Sequence, residues 1–279
     1  MIGRIALDLQ KDSNYERRLK TAIQLAQTHK AELVGVYTTR LQQRYIFDDV
    51  SVPSQVRTIM GTYLQEEKDE MQGVFLETTR QAGVTAHWRA PEGAPDEALI
   101  MQARYADLIV MSQTENRQTV GNMLPNHTEA VIMQAGRPVL MVPFAGEVLP
   151  FLGKRVLFCW DYGRRAARAL ADAHPILAQA TEVIALTIDP DKEMLRVRGI
   201  EPDDLQAYCK SHGYPELREV YKRSSDNDIG NTILNTATDY GCDLIVMGAY
   251  NRNRMREWAF GGTSKTLLQS MTVPILFSH

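Results

Sequence analysis

The chain has 279 residues, which suits two domains of about 130 to 150 residues, each large enough to bury its own core. Apolar residues make up 44% and charged residues 23%, the balance of a folded globular protein and not of a disordered chain. A formal charge of −3 and the lack of a long Lys/Arg run leave no electrostatic footprint for nucleic acid or an anionic membrane surface, so a partner must be recognised by shape or by a pocket.

Met1 to Gln10 opens the chain with a short apolar run interrupted by Arg4 and Asp8, unlike the apolar region of a secretion signal. No stretch approaches the ~18 consecutive apolar residues of a membrane span. Ile5 to Leu9 reads as the first strand. Tyr15 to Thr28 follows as a helix with Leu19, Ala22, Ile23 and Ala26 on one face. Leu33 to Tyr37 is a second strand. Thr39 to Gly73 carries a tyrosine-rich turn, Arg44 to Phe47, and a long charged helix. Glu97 to Arg104 is helical, Leu108 to Met111 is a continuous apolar strand of the kind buried on both faces, and Val139 to Val142 is another strand.

Phe144 to Gly153, bracketed by Pro143, Gly146, Pro150 and Gly153, reads as a linker. Beyond it the pattern starts again, with strands at Val156 to Cys159, Val183 to Ile188, Leu244 to Met247 and Ile275 to Phe277. The recurrence is literal. Tyr105-Ala-Asp107-Leu-Ile-Val-Met111 matches Gly241-Cys-Asp243-Leu-Ile-Val-Met247, and Pro138 to Met141 matches Pro274 to Phe277, both at an offset of 136. Arg4 to Leu7 matches Arg155 to Phe158 at an offset of 151, so the first copy holds fifteen extra residues, expected within 39 to 73. Strands alternating with helices imply right-handed crossovers and a parallel, doubly wound α/β sheet in each copy, with domains at 1–146 and 147–279. Ligands of such sheets bind beyond the carboxyl ends of the strands.

After the strand Leu244 to Met247 comes a long loop beginning Gly248-Ala-Tyr-Asn251 and ending Gly261-Gly262-Thr263-Ser264, then a helix through Leu268. It resembles the phosphate loop of the ATP-binding universal stress proteins: Gly, two residues, Gly, nine residues, Gly, then Ser or Thr. Glycine there admits positive φ and lets backbone N–H groups and a helix N-terminus reach phosphate oxygens. Gly248 and Gly261 keep the pattern. Asn251 and Gly262 depart from it, with Thr263 one place late. Arg252, Arg254 and Arg256 lie in the same loop and read either as phosphate contacts or as a solvated basic surface.

The resemblance extends through both copies and implies an adenine nucleotide alpha hydrolase-like fold. It also places Phe158-Cys159-Trp160-Asp161 on the family's first strand, whose terminal Asp contacts the nucleoside. Asp161 reads equally well as a turn or cap residue. By the same alignment Thr187 sits where the backbone reads adenine, and Met247 lines the pocket floor. In the family the last strand makes a dimer contact, so the resemblance sets Val139 to Val142 beside Ile275 to Phe277. In the first copy Ser112, Glu115 and Pro125 replace the three loop glycines and Gln10 replaces the Asp, so no ATP is expected there in the family's manner.

Other motifs fail on spacing. Gly261 to Thr266 lacks the glycine before lysine of a P-loop. The six histidines show no metal-ligand spacing, and Asp226-Asn-Asp228 lacks the rest of a calcium loop and reads as a helix cap. Cys159, Cys209 and Cys242 are widely spaced and read as reduced thiols. No catalytic residues are assigned. The resemblance implies a cytoplasmic stress-response adaptor or sensor that takes ATP or another adenine nucleotide in the second copy. The alternatives are a slow ATP-hydrolysing or nucleotidyl-transferring enzyme, and an oligomeric scaffold with both pockets closed. Self-association is expected through sheet edges or the 39–73 segment.

Overall fold

The computed structural model describes residues 1–38, 52–113, 127–146, 148–224, 228–249 and 262–279. The Arg44 to Phe47 turn lies outside them. By their contacts the residues divide into two units, Met1–Ser112 with Thr119–Arg137, and Gln113–Gln118 with Pro138–His279.

The first unit runs β1 (Arg4–Asp8), α1 (Tyr15–His29), β2 (Glu32–Val36), α2 (Ser54–Gln81), β3 (Ala86–Arg89), α3 (Pro95–Ala103), β4 (Leu108–Ser112) and α4 (His127–Gln134). Its strands lie in the order β3-β2-β1-β4, all parallel. Every residue of β4 is buried, as a strand covered on both faces requires. Helix α1 buries Leu19, Ala22, Ile23 and Ala26 as its periodicity predicts, and with them Arg18. Helix α2 packs through its last third: Met71, Phe75 and Thr79 are buried, while Val56, Ile59 and Tyr63 are exposed. Phe75 meets Trp88 of β3, which stacks on Tyr37 at 5.5 Å.

The second unit runs β5 (Val139–Val142), β6 (Arg155–Cys159), α5 (Arg164–Asp172), α6 (His174–Leu177), β7 (Glu182–Ile188), α7 (Lys192–Val197), α8 (Asp204–Ser211), β8 (Leu217–Lys222), α9 (Ile229–Asp239), β9 (Leu244–Gly248), α10 (Gly262–Ser270) and β10 (Ile275–Ser278). The order is β5-β10-β9-β6-β7-β8, parallel except for β5. Strand β5, the last of the first copy in sequence, pairs antiparallel with β10, Met141 facing Ile275, Leu140 facing Leu276 and Val139 facing Phe277. Leu140 and Leu276 are repeat equivalents, so this strand pair is two-fold symmetric about them, as the resemblance implies. Asp228 caps α9, accepting from Asn231 N at 3.0 Å. His174-Pro175 marks a break between α5 and α6 rather than a kink within one helix.

The shared Asp-Leu-Ile-Val-Met segment owes its aspartate to one structural task, performed in both units. Asp107 accepts from the backbone N–H of Gly3 and Arg4 at 2.8 and 3.1 Å, and Asp243 from Gly153 and Lys154 at 2.9 and 3.0 Å. Each carboxylate thereby ties the start of the first strand of its unit to the start of the fourth, using donors that no sheet partner takes. A second pair repeats beside it, Arg4 with Glu32 at 2.7 Å and Arg155 with Glu182 at 2.8 Å. The units differ most between their second and third strands. Strands β2 and β3 begin at 32 and 86, whereas β7 and β8 begin at 182 and 217, and the single helix α2 is answered by the short pair α7 and α8.

Candidate nucleotide site and its counterpart in the first unit

In the second unit the strand order reverses between β6 and β9, and the carboxyl ends of these strands form the crevice where a doubly wound sheet receives a ligand. Trp160 N donates to Leu186 O at 2.8 Å, carrying the β6–β7 ladder one residue past the strand. The chain then turns sharply. Tyr162 has φ of 58°, and the exposed Asp161 carboxylate accepts from Gly163 N at 2.8 Å just before α5 begins. Asp161 is thus presented in a fixed turn at the strand end. The half-buried Cys159 thiol beside it is pushed up to about 12 by burial and by the Asp161 charge, so it stays a protonated thiol at neutral pH.

Met247 and Gly248 end the neighbouring strand β9, with Met247 buried. A Cβ on Gly248 would stand 2.6 Å from Arg165 C and 2.9 Å from Ala166 N. Close approach of the α5 backbone therefore requires glycine here, a reason independent of phosphate. Thr187 is buried on β7, opposite Tyr221 of β8. Gly262, Thr263 and Ser264 form the first turn of α10, whose N-terminal end offers unpaired N–H groups of the kind that bind anions. The fold therefore gathers Cys159, Asp161, Met247 and Gly248 at adjacent strand ends, with Thr187 one strand over. Asn251 and Gly261, with Arg252, Arg254, Arg256 and Glu257, lie outside the described residues.

At the equivalent place in the first unit stands a polar cluster built on Arg18. This guanidinium is 1% exposed. Its Nε donates to Asp8 O at 2.5 Å, its Nη2 to Gln10 O at 2.6 Å, and its Nη1 to Ser112 Oγ at 2.8 Å and Asp12 Oδ2 at 2.9 Å. Asp8 is itself buried. Burial works against its charge, yet the facing His127 ring, the Arg18 guanidinium and the Gln10 N–H, 3.2 Å away, together hold its carboxyl below the usual range. His127 closes the cluster from the start of α4, with Nε2 3.9 Å from Asp8 Oδ2 and 3.4 Å from Gln10 Nε2. By the repeat offsets, Asp8, Gln10, Arg18, Ser112 and His127 occupy the places of Cys159, Asp161, Ala169, Gly248 and Thr263.

Glu115 and Pro125, two of the replacements noted in the sequence, lie outside the described residues, but the strand ends alone account for a closed site. A guanidinium fills the crevice with its donors already committed. Arg18 was not among the residues singled out in the sequence. Its signal was there: an arginine within the apolar arc of Leu19, Ala22, Ile23 and Ala26, with two aspartates a few residues upstream, is a buried cation with its partners at hand.

Among the described residues no group of three or more His, Cys, Asp or Glu side chains is placed to hold a metal ion, and no helix is long and apolar enough to cross a membrane. Two α/β units of one pattern, each with a parallel sheet wound as strands three, two, one and four, define a tandem protein of the nucleotide-binding α/β class. The pattern of the universal stress protein family matches the chain twice, over residues 4–143 and 153–279, and the chain belongs to that family.

Among solved structures, a universal stress protein from Archaeoglobus fulgidus is 17% identical with a TM-score of 0.72, over 98% of this chain and 97% of that one. A protein of unknown function from Pseudomonas aeruginosa is 15% identical with a TM-score of 0.61, over 99% of this chain and 92% of that one. A universal stress protein solved in complex with cAMP matches 50% of this chain over 97% of its own, at 19% identity and a TM-score of 0.38. No curated protein matches the chain.

Proposed function

We propose that this universal stress protein is a non-enzymatic, cytoplasmic stress-response adaptor or sensor, with repeats at 1–146 and 147–279, whose second repeat takes one adenine nucleotide, ATP or a relative. The observation that carries this reading is the contrast at one position of the repeat. Arg18 occupies the crevice of the first unit, whereas Ala169 stands in its place in the second, beside an exposed Asp161 carboxylate and within reach of the α10 N-terminus. Asp161 is suited to ribose hydroxyls, which donate to a carboxylate, and α10 to phosphate. The departures at Asn251 and Gly262 remove backbone contacts at about 1.5 to 3 kcal/mol each, which makes the site a weak one.

Titration calorimetry of the full chain with ATP, ADP and cAMP tests the reading. One site per chain is expected, weakened by Asp161→Ala and tightened by Asn251→Gly. Two equivalent sites, or a site untouched by Asp161→Ala, would place the pocket elsewhere. Metal-dependent ATP hydrolysis abolished by Glu257→Gln would overturn the non-enzymatic part.

A further inference from the structure

A cavity of about 410 Å³ opens on the face of the second unit where α5 meets the short helices α7 and α8. It exists because the connection between β7 and β8 is broken. Gly199, with φ of 67°, and Pro202 separate α7 from α8, and the two helices bridge over the α5 face where one continuous helix would lie on it. Ala167 and Leu170 of α5 form one apolar wall, and Met194, Leu195 and Leu205 of the helix pair form the other. Three rings, Trp160, Tyr162 and Tyr208, complete the lining. Ile200 and Tyr208 remain 40% and 42% exposed at its rim, a large apolar outlay for a surface with nothing on it.

The charged groups are unevenly chosen. Asp161, Glu201, Asp204 and Glu219 face the cavity, against Arg198 as the basic side chain. Two of the acids are fixed in place: Asp204 accepts from Glu201 N at 2.9 Å, and Glu219 accepts from the Tyr221 hydroxyl. Carboxylates around an aromatic, apolar chamber attract a cation by charge and by the ring faces together, and repel an anion. The indole Nε1–H of Trp160 adds a second pointer. It is buried and has no acceptor among the described residues, an arrangement that a bound molecule with an acceptor atom relieves.

We propose that this cavity binds an organic cation, a primary or substituted ammonium on an apolar body the size of one aromatic ring. The volume lies in the range of small-molecule sites and exceeds what a lone inorganic cation needs. The acid excess separates this cavity from the proposed nucleotide site, whose ligand carries phosphate. Asp161 borders both, so it is left untouched in the test.

The full chain is titrated with 2-phenylethylammonium, and with 2-phenylethanol and phenylacetate as neutral and anionic counterparts, by calorimetry and by NMR of the three Trp indole N–H resonances, assigned through Trp160→Phe. The cation is expected to bind saturably and to move the Trp160 resonance, ahead of the alcohol, with phenylacetate weakest. Glu219→Gln and Asp204→Asn should each weaken the cation about three- to tenfold. Ala167→Trp, a change at an exposed position of α5, should abolish binding while circular dichroism stays native. Absence of saturable cation binding, equal binding of phenylacetate, or a Trp160 resonance that stays still at saturation would each overturn the proposal. The resonance is read in the unmodified chain, so this outcome does not depend on any variant folding.

Discussion

At one position of the repeat, α1 buries Arg18 and α5 buries Ala169, and most differences between the two strand-end regions follow from that exchange. The arginine needs acceptors, and the first unit supplies Asp8, Asp12, Ser112 and two backbone carbonyls. The alanine needs none, so Cys159 stands in place of Asp8, Gly248 in place of Ser112, and the α5 backbone moves in until glycine is obligatory. One crevice is closed by a self-satisfied polar cluster. The other is narrowed by helix packing, with its carboxylate left at the surface. A duplicated domain can thus lose a ligand site through a single buried charge and the partners it recruits, with the strands around it unchanged.

The sharpest way to break this comparison is Arg18→Ala. It leaves Asp8 buried without its guanidinium, and truncating one partner of a buried ion pair costs about 3 to 5 kcal/mol. Urea unfolding followed by hydrogen exchange should show that loss in the first unit, with the amides of β6, β7 and β9 retaining their protection. Equal loss in both units, or none, would mean that Arg18 does not hold the first crevice closed.

The swap at the strand end is next in size. Gly248→Ser forces a Cβ against the backbone of α5 and should cost about 1 to 3 kcal/mol, as overpacking does. Ser112→Gly removes a hydrogen bond from a charged donor and should cost about 1.5 to 3 kcal/mol, at or just below the same scale. Thermal or urea denaturation of the two variants measures both. If Gly248→Ser proved neutral, the glycine would have to be explained by the ligand rather than by packing.

The smallest effect is one of pH. The Asp8 carboxyl is held below its usual 3.8 in the folded chain, so its contribution is complete above that value and is lost as the pH falls through and below it. An Asp8→Asn variant should therefore lose stability at neutral pH and show a shallower acid limb than the parent, read from denaturation midpoints between pH 3 and 6. The second unit has Cys159 at that position, and its thiol does not titrate in that window.

Much of this architecture is legible in the sequence, for reasons that also explain the omissions. Strands β4 and β9 are buried on both faces and read as unbroken apolar runs, and the repeat between them fixed the two-copy organisation. Strands β3 and β8 stand last in their sheets, with half-exposed, charge-bearing residues such as Arg89, Arg218 and Glu219, and carry no comparable signal. The break between α7 and α8 is likewise set by tertiary packing more than by propensity. At the candidate site, Asp161 and Gly248 could be read from the resemblance, but the backbone of α5 that makes Gly248 necessary could not. Arg18 escaped notice because helical periodicity is scored on apolar residues, and a buried cation at an apolar position registers as noise.

The strand pair centred on Leu140 and Leu276 has one further consequence, in how the protein responds to dilution. Both strands belong to the same chain, so their encounter has an effective concentration fixed by the intervening residues and untouched by the amount of protein in solution. An edge that would otherwise present a template to any passing strand meets its match before diffusion can offer another. Two separate copies would part as their concentration fell, whereas this pair has no dissociation constant in the ordinary sense, and opens only when the chain itself unfolds.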